Sequence, residues 1–128
     1  MKIQRIQNPS TELFEALAQL LPQLSSSATT PSAEQIEKLL DNENTHLFVA
    51  EVEGKIVGML SLVVVDIPTG RKAWIEDVVV DESARGLHIG AALVEHAKEE
   101  AQRLRAKKLY LTSNPSRKAA HALYNKCG

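Results

Sequence analysis

Apolar positions recur with different periods along the chain, and each change of period marks an element of the expected fold. Residues 1–6 are a candidate first strand. Apolar residues at helical spacing over residues 13–21 predict an amphipathic helix that ends near Pro22. A second helix is expected from Ser32 to about residue 40, because Ser-x-x-Gln fits a capping box.

After residue 46 the pattern becomes that of strands, because residues that favour β-structure follow one another between turn signals. A helix with one apolar and one charged face follows a glycine-containing loop. The expected order is β-α-α-β-β-β-α-β-α, an α/β (α+β) fold whose central sheet is mixed, mostly antiparallel and flanked by about four helices. The later strands are expected over residues 47–52, 56–65, 73–80 and 109–112, and the later helices over residues 91–104 and 116–126.

Composition narrows the range of functions. A chain of 128 residues fits a single domain spanning residues 1–128, and its net charge of −1 provides no broad basic surface for nucleic acid. Cys127 has no second cysteine to pair with, and no apolar run approaches the roughly 20 residues needed to span a membrane. We therefore expect a cytoplasmic protein without nucleic-acid or membrane partners. His96 is expected on the polar face of the long helix and His46 at the start of a strand, and the histidine spacing predicts no metal site.

The segment from residue 78 to residue 91 is the first candidate for chemistry, since it joins an apolar strand to a long helix through a loop containing Gly86 and Gly90. The first amides of a helix have no intrahelical acceptor and lie at the positive end of the helix dipole, so they bind phosphate well. An ordinary strand-to-helix turn is the alternative interpretation.

Four segments of the second half of the chain resemble the GNAT N-acetyltransferase superfamily. Residues 75–80 and 85–90 are similar to its acetyl-CoA segment, and residues 109–114 and 119–128 are similar to its fifth strand and the helix that follows. The resemblance implies a GNAT-like acyl-CoA N-acyltransferase fold. His88 departs from it, because it stands where the family pattern has its first glycine. The family usually continues into further strands, so the chain is expected to be truncated or unusually short.

The resemblance also implies acetyl-CoA as the acyl donor, lying in a notch between the strand that ends at residue 80 and the strand over residues 109–112. Backbone groups of the first strand would pair with the pantetheine arm, and loop amides would hold the pyrophosphate. Asn114 would bind the cofactor amide or a water, or else serve as a turn former before proline. The implied cofactor-binding residues are Val78, Val79, Val80, Arg85, Gly86, Leu87, His88, Ile89, Gly90, Ala91 and Asn114.

Two carboxylates and a tyrosine are the candidate catalytic groups. Glu76 is the preferred general base, acting directly or through water, and Asp77 is the alternative. Neighbouring strand residues face opposite sides of a sheet, so both reach one substrate only if a bulge intervenes. Both carboxylates would instead be structural if they paired with Arg71, Lys72 or backbone amides, and attraction of a cationic amine is a third role open to them. Tyr124 is expected to protonate the departing thiolate, with packing as its alternative role.

These observations predict an N-acetyltransferase that moves the acetyl group of acetyl-CoA to a primary amine of a small molecule or protein. A catalytically silent acyl-CoA-binding sensor is the alternative. Residues 75–80 and 124–128 look like the glucosamine-6-phosphate acetyltransferase group. Similar segments occur widely in the superfamily, so an amino sugar is only one candidate for the acceptor. If further strands are missing, the edge formed by residues 109–112 would be unpaired, and the hypothesis is then a homodimer or strand exchange between chains.

Overall fold

The computed structural model describes residues 1–111 of the chain, and five strands form one sheet in the order in which they occur in the sequence. The first four strands pair with one another antiparallel, and the fifth strand pairs parallel with the fourth. This confirms the expected mixed, mostly antiparallel sheet. The strands are β1 (Lys2–Ile6), β2 (Thr45–Val52), β3 (Lys55–Ile67), β4 (Gly70–Val80) and β5 (Lys108–Leu111), and the helices are α1 (Thr11–Leu24), α2 (Ala33–Asp41) and α3 (Ile89–Arg103).

The helices cover the sheet from both sides and enclose two apolar cores. One core lies between α3 and the sheet, where Leu60, Ile75 and Leu93 are each 0% exposed. The other lies between the sheet and the pair α1 and α2, around Leu20 and Ile36. A strand that is apolar on both faces is expected to be covered on both, so the long apolar runs of β2 to β4 follow from this layering.

Several boundaries differ from the sequence prediction. Helix α1 continues beyond Pro22 to Leu24, since Pro22 lies in the last turn, where its missing N–H and its ring affect a single helical bond. Helix α3 begins at Ile89 rather than after Gly90. The capping box at Ser32 is confirmed. The helix expected over residues 116–126 lies outside the described residues. None of the helices within residues 1–111 has the length and apolar character needed to cross a membrane.

Strand β4 contains a β-bulge that changes which face its side chains occupy. Val79 pairs with Met59 and Glu76 pairs with Ser61, so two residues of β4 lie opposite one residue of β3. Before the bulge Ile75 faces α3, and after it Val78 faces α3 as well, although regular alternation would put them on opposite faces. The bulge is the local feature that positions the candidate site.

Candidate active site

Glu76 lies just before the bulge, on the face of the sheet that α1 and α2 cover. Its partner across the sheet is Ser61, whose own partner on β2 is Leu47, a member of the core under α1 and α2. Paired residues project to the same side, so Glu76 shares this face. Its side chain is half-buried and Ser61 is buried. A carboxylate is therefore held at the border between the apolar core and solvent.

Asp77 occupies the bulge itself. Its φ of 52° lies in the left-handed region, which aspartate tolerates better than most residues, and its side chain is exposed. The bulge that would let both carboxylates approach one substrate is thus present. Of the partners considered for a structural role, Arg71 is engaged elsewhere, because its Nε donates to Asp66 Oδ1 at 2.7 Å, while Lys72 and backbone amides stay as alternatives. The catalytic roles of Glu76 and Asp77 stay predictions.

An aromatic pair lies beside Glu76 on the same face. Trp74 and Tyr110 are partners across the parallel strands β4 and β5, and their rings stack with centroids 5.3 Å apart. Trp74 is two residues before Glu76, so both side chains project to the α1 and α2 side. Sequence reasoning missed this pair, because the contact depends on the register between two strands that are distant in sequence.

The end of β4 leads directly to the candidate donor segment. The described pairing between β4 and β5 runs over four residue pairs up to Ile75 and Leu111, the last residue that the structure describes, and β4 itself continues through the bulge to Val78, Val79 and Val80. The predicted notch for pantetheine would lie beside β4 beyond Ile75. The residues expected on the opposite side of the notch, from residue 112 onward, lie outside the described residues.

The loop between β4 and α3 has an ordered first half and an exposed tip. A short 3₁₀ turn over Glu82–Ala84 packs Ala84 into the core. At the tip, Gly86 has a φ of 88° and Leu87 is 59% exposed. A Cβ at Gly86 would meet no described atom within 4 Å, which leaves room for a ligand to approach the backbone.

His88 completes the tip and is the residue before the first turn of α3. Its φ of 60° is the left-handed conformation that glycine adopts at least cost, which explains why a glycine would suit this position. Its side chain makes no capping hydrogen bond to the helix. The first helical bond runs from Ala92 N–H to the His88 carbonyl at 3.1 Å, so the amides of Ile89, Gly90 and Ala91 have no acceptor within the helix. The arrangement suits a phosphate.

His46 lies at the start of β2, as the sequence predicts, whereas His96 differs from the sequence prediction. His46 is 4% exposed, and its Nδ1 has no hydrogen-bond partner among the described residues, because the nearest Glu100 oxygen is 3.9 Å away. His96 was assigned to the polar face of α3, but its ring packs edge-on against Phe48 with centroids 4.8 Å apart. The assignment was wrong because helical spacing does not show how far a neighbouring aromatic ring reaches. Within the described part, acidic, histidine and cysteine side chains form no cluster of three suited to a metal.

Two of the predicted site residues fall beyond residue 111. Tyr124, the candidate acid, and Asn114, the candidate cofactor ligand, lie outside the described residues. Their roles stay predictions. The described part of the site therefore consists of the half-buried Glu76, the bulge at Asp77, the aromatic pair and the open loop that leads into α3.

The chain is similar to known proteins over nearly its whole length. The family model described as "Acetyltransferase (GNAT) family" matches residues 10–128. No curated protein matches the sequence significantly. Among solved structures, an aminoglycoside acetyltransferase from an uncultured soil metagenomic sample is 25% identical, with a TM-score of 0.87, and the alignment covers 98% of this chain and 86% of that one.

Two further structures are similar at the level of the fold. Glucosamine-6-phosphate N-acetyltransferase from Arabidopsis thaliana has a TM-score of 0.81 at 23% identity, covering 100% of this chain and 91% of that one. Ribosomal-protein-alanine N-acetyltransferase from Brucella melitensis has a TM-score of 0.79 at 23% identity, covering 98% and 90%. Together with the bulged β4 and the open loop after it, the family match establishes that the chain belongs to the GNAT acetyltransferase family.

Proposed function

We propose that this protein transfers the acetyl group of acetyl-CoA to a primary amine by direct attack of the amine on the thioester. One observation carries the proposal: β4 leads from a half-buried carboxylate through a bulge into a loop whose helix amides have no intrahelical acceptor. The extended donor would lie along the strand, with its pyrophosphate at the start of α3 and its thioester near the bulge. A single strand-loop-helix unit thus supplies both ends of the donor site.

Two residues are assigned to the two proton transfers of the reaction. Glu76 takes the proton of the attacking amine, directly or through a water, while the C–N bond forms and the C–S bond breaks. The coenzyme A thiolate that leaves accepts a proton, for which Tyr124 is the proposed donor. Holding amine and thioester together supplies much of the acceleration, because well-oriented pairs gain up to roughly 7–11 kcal/mol.

The acceptor is proposed to bind on the face of the sheet covered by α1 and α2, next to Glu76. A carboxylate beside the stacked rings of Trp74 and Tyr110 favours a cationic ammonium that loses its proton on the way to reaction. The related structures are named for aminoglycosides and for glucosamine 6-phosphate, so amino sugars belong in a first panel of acceptors. Peptides with free N-termini complete the panel, since the Brucella enzyme is named for a ribosomal protein.

Thermal unfolding with and without acetyl-CoA tests the donor. A ligand present at about 100 times its dissociation constant adds about 2.7 kcal/mol to the free energy of unfolding, so the midpoint is expected to rise clearly. Adenosine diphosphate alone is expected to give a smaller shift, because it lacks the pantetheine arm. No shift with millimolar acetyl-CoA would contradict the proposal.

Release of free thiol in the presence of the amine panel then separates an enzyme from a sensor. We expect turnover with at least one amine and none without an acceptor beyond slow hydrolysis. Acetyl-CoA binding without transfer to any amine of the panel would support a catalytically silent acyl-CoA-binding module instead.

A further inference from the structure

A buried carboxylate lies where β4 ends and the donor loop begins. Asp81 is 6% exposed. Its Oδ1 accepts hydrogen bonds from Gln23 Nε2 at 2.7 Å and from Gln19 Nε2 at 3.4 Å. Its Oδ2 accepts from the amide N–H of Ser83 at 3.1 Å and from the Ser83 hydroxyl. Buried charges persist only where such donors replace water, so this carboxylate holds α1 and the loop together.

Gln23 completes a network that joins three elements. Its amide nitrogen donates to Asp81, and its amide oxygen accepts from the Glu82 N–H at 2.9 Å. The Asp81 N–H in turn donates to the Val57 carbonyl of β3 at 2.7 Å. The hydrogen bonds from the Ser83 hydroxyl and from Gln23 hold the pKa of Asp81 well below its usual range. Asp81 is therefore an acceptor only, and every bond in the network has a fixed direction.

The network holds residues 81–84, the half of the loop from which the tip at residues 86–88 extends. Residues 81–84 are held by α1, β3 and their own 3₁₀ turn, whereas Gly86, Leu87 and His88 are exposed and two of them have positive φ. The direction in which the tip leaves the sheet is thus set by the anchored half. Small displacements of groups that bind a ligand reduce affinity strongly, so an anchor outside the site affects binding inside it.

We propose that Gln23 and Asp81 are positioning residues for the acyl-donor loop, so that α1 sets the geometry of the pyrophosphate site. The inference rests on the proposed function, since it assumes that coenzyme A binds at residues 85–91. Neither residue touches the donor. They act by holding the peptide of Glu82 and the turn at Ser83 in the orientation from which the tip extends.

The fixed directions of the hydrogen bonds allow a sharp test by exchange of the two side-chain types. In Gln23→Glu a second carboxylate faces Asp81 and the two repel. In Asp81→Asn the new amide nitrogen faces another donor whichever way the amide is turned, because Gln23 Nε2 lies on one side and the Ser83 N–H on the other. In the double variant Gln23→Glu/Asp81→Asn, the introduced amide nitrogen donates to the introduced carboxylate, whose second oxygen accepts from Glu82, and the introduced amide oxygen accepts from Ser83. The bonds among positions 23, 81, 82 and 83 are then restored with the polarity of one bond reversed, whereas the bonds from Gln19 Nε2 to position 81 and from position 23 to the Gln19 carbonyl are lost.

The measurement is the dissociation constant of coenzyme A by titration calorimetry, with KM for acetyl-CoA, kcat and thermal unfolding on the same variants. We expect each single variant to bind coenzyme A about tenfold more weakly, to show a matching rise in KM and to keep most of kcat. The double variant is expected to bind coenzyme A more tightly than either single variant, because the bonds to Glu82 and Ser83 are restored, although the two bonds with Gln19 are lost. Gln35→Ala is the matched control, because it breaks a glutamine hydrogen bond at the start of α2 and leaves the loop untouched.

Three results would overturn the inference. Single variants that lose thermal stability but bind coenzyme A like the unchanged protein would show a purely structural network. A double variant as weak in binding as the single variants would show that the hydrogen-bond pattern is not what matters, and Gln35→Ala binding as weakly as Gln23→Glu would show that any loss of stability suffices. If the unchanged protein does not bind coenzyme A, the proposed function fails first, and the inference falls with it.

Discussion

The face of the sheet under α3 is apolar along most of its length, whereas the face under α1 and α2 changes from apolar to polar along β4. Under α3, fully buried Leu60, Leu62 and Ile75 form one continuous core. On the other face, the apolar row that contains Val79 gives way to a row with Ser61 and Glu76. The first face is explained by packing alone, and the polar border of the second is where we propose that the acceptor amine binds.

The difference shows how the fold separates stability from chemistry. Removing apolar atoms from the α3 face should affect unfolding more than turnover, and changing the polar border should do the reverse. The bulge is where the two requirements meet, since it lets β4 present Glu76 to one face and return Val78 to the core under the other.

The largest change in stability is expected from Leu60→Ala on the α3 face. Leu60 is fully buried, and deleting a buried leucine side chain lowers the free energy of unfolding by about 2–5 kcal/mol. Urea unfolding measures the loss, and Leu87→Ala is the control, since Leu87 is 59% exposed and should change stability by less than about 0.5 kcal/mol. If Leu60→Ala kept its stability but lost turnover, the two faces of the sheet would not divide stability and chemistry in this way.

Glu76→Gln is expected to lower kcat by about 100-fold, or about 2.7 kcal/mol, because the amide cannot accept the amine proton. Stability should change little, since the side chain is only half-buried. Steady-state kinetics with the best acceptor measures the effect. Glu95→Gln makes the same substitution on the exposed side of α3 and should keep full activity. Equal rates for both variants would remove Glu76 from the mechanism.

His88→Gly is expected to stabilise the protein by about 0.5–1 kcal/mol. A left-handed residue other than glycine costs roughly 1–2 kcal/mol, and the greater freedom of glycine in the unfolded chain offsets part of the gain. Urea unfolding again measures it. Leu87→Gly is the matched control, because Leu87 does not have a positive φ and should gain nothing. A loss of stability in His88→Gly would show that the side chain makes contacts that outweigh the strain.

The smallest effect is expected from the titration of His46 on the α3 face. Burial, followed by the charge of Arg5, lowers the pKa of His46 below its usual 6.5, while Glu100 partly opposes the shift. The unfolded chain then binds the proton at a higher pH than the folded one. Stability contributed by neutral His46 is therefore complete above about pH 6.5 and is lost as the pH falls towards the lowered pKa.

Unfolding curves between about pH 7.5 and about pH 5 test this expectation, because the usual histidine pKa lies within that range. His46→Leu should flatten the decrease, because the residue that binds the extra proton is removed. Gln35→Ala should retain it, since it removes an exposed side chain that does not titrate and leaves His46 in place. A decrease of equal size in His46→Leu would assign the pH dependence to other groups.

The sequence predicted the parts of the fold that depend on neighbouring residues. The capping box at Ser32, the apolar face of α3 and the hairpin between β2 and β3 all follow from local spacing and turn residues, and the structure confirms them. The end of α1 was misplaced at Pro22, because a proline near the end of a helix removes one bond without unfolding the turn. The local sequence pattern therefore predicts the end of a helix or strand less well than its centre.

The features that came only from the structure depend on contacts between distant residues. Asp81 and Gln23 are 58 positions apart, and neither belongs to a recognisable motif. The bulge at Asp77 is also hidden, because β4 is apolar on both faces over residues 73–75 and again from Val78, so it has no regular alternation that a bulge would interrupt. The stacking of Trp74 on Tyr110 requires the register between β4 and β5. Position along a helix or strand is readable from sequence, but pairing across the sheet is not.

The bulge makes β4 more tolerant of a change in length at Asp77 than elsewhere in the strand. Asp77 and Val78 together lie opposite Leu60, so a chain without Asp77 would pair Val78 alone with Leu60 and keep Val78 and Val79 in their present cores. A residue lost between Gly70 and Ile75 would instead turn the side chains on one side of the loss to the opposite face. Variants of this protein with one residue fewer in β4 are therefore expected to lack the bulge, and with it the local bend beside Glu76, while both apolar cores stay the same.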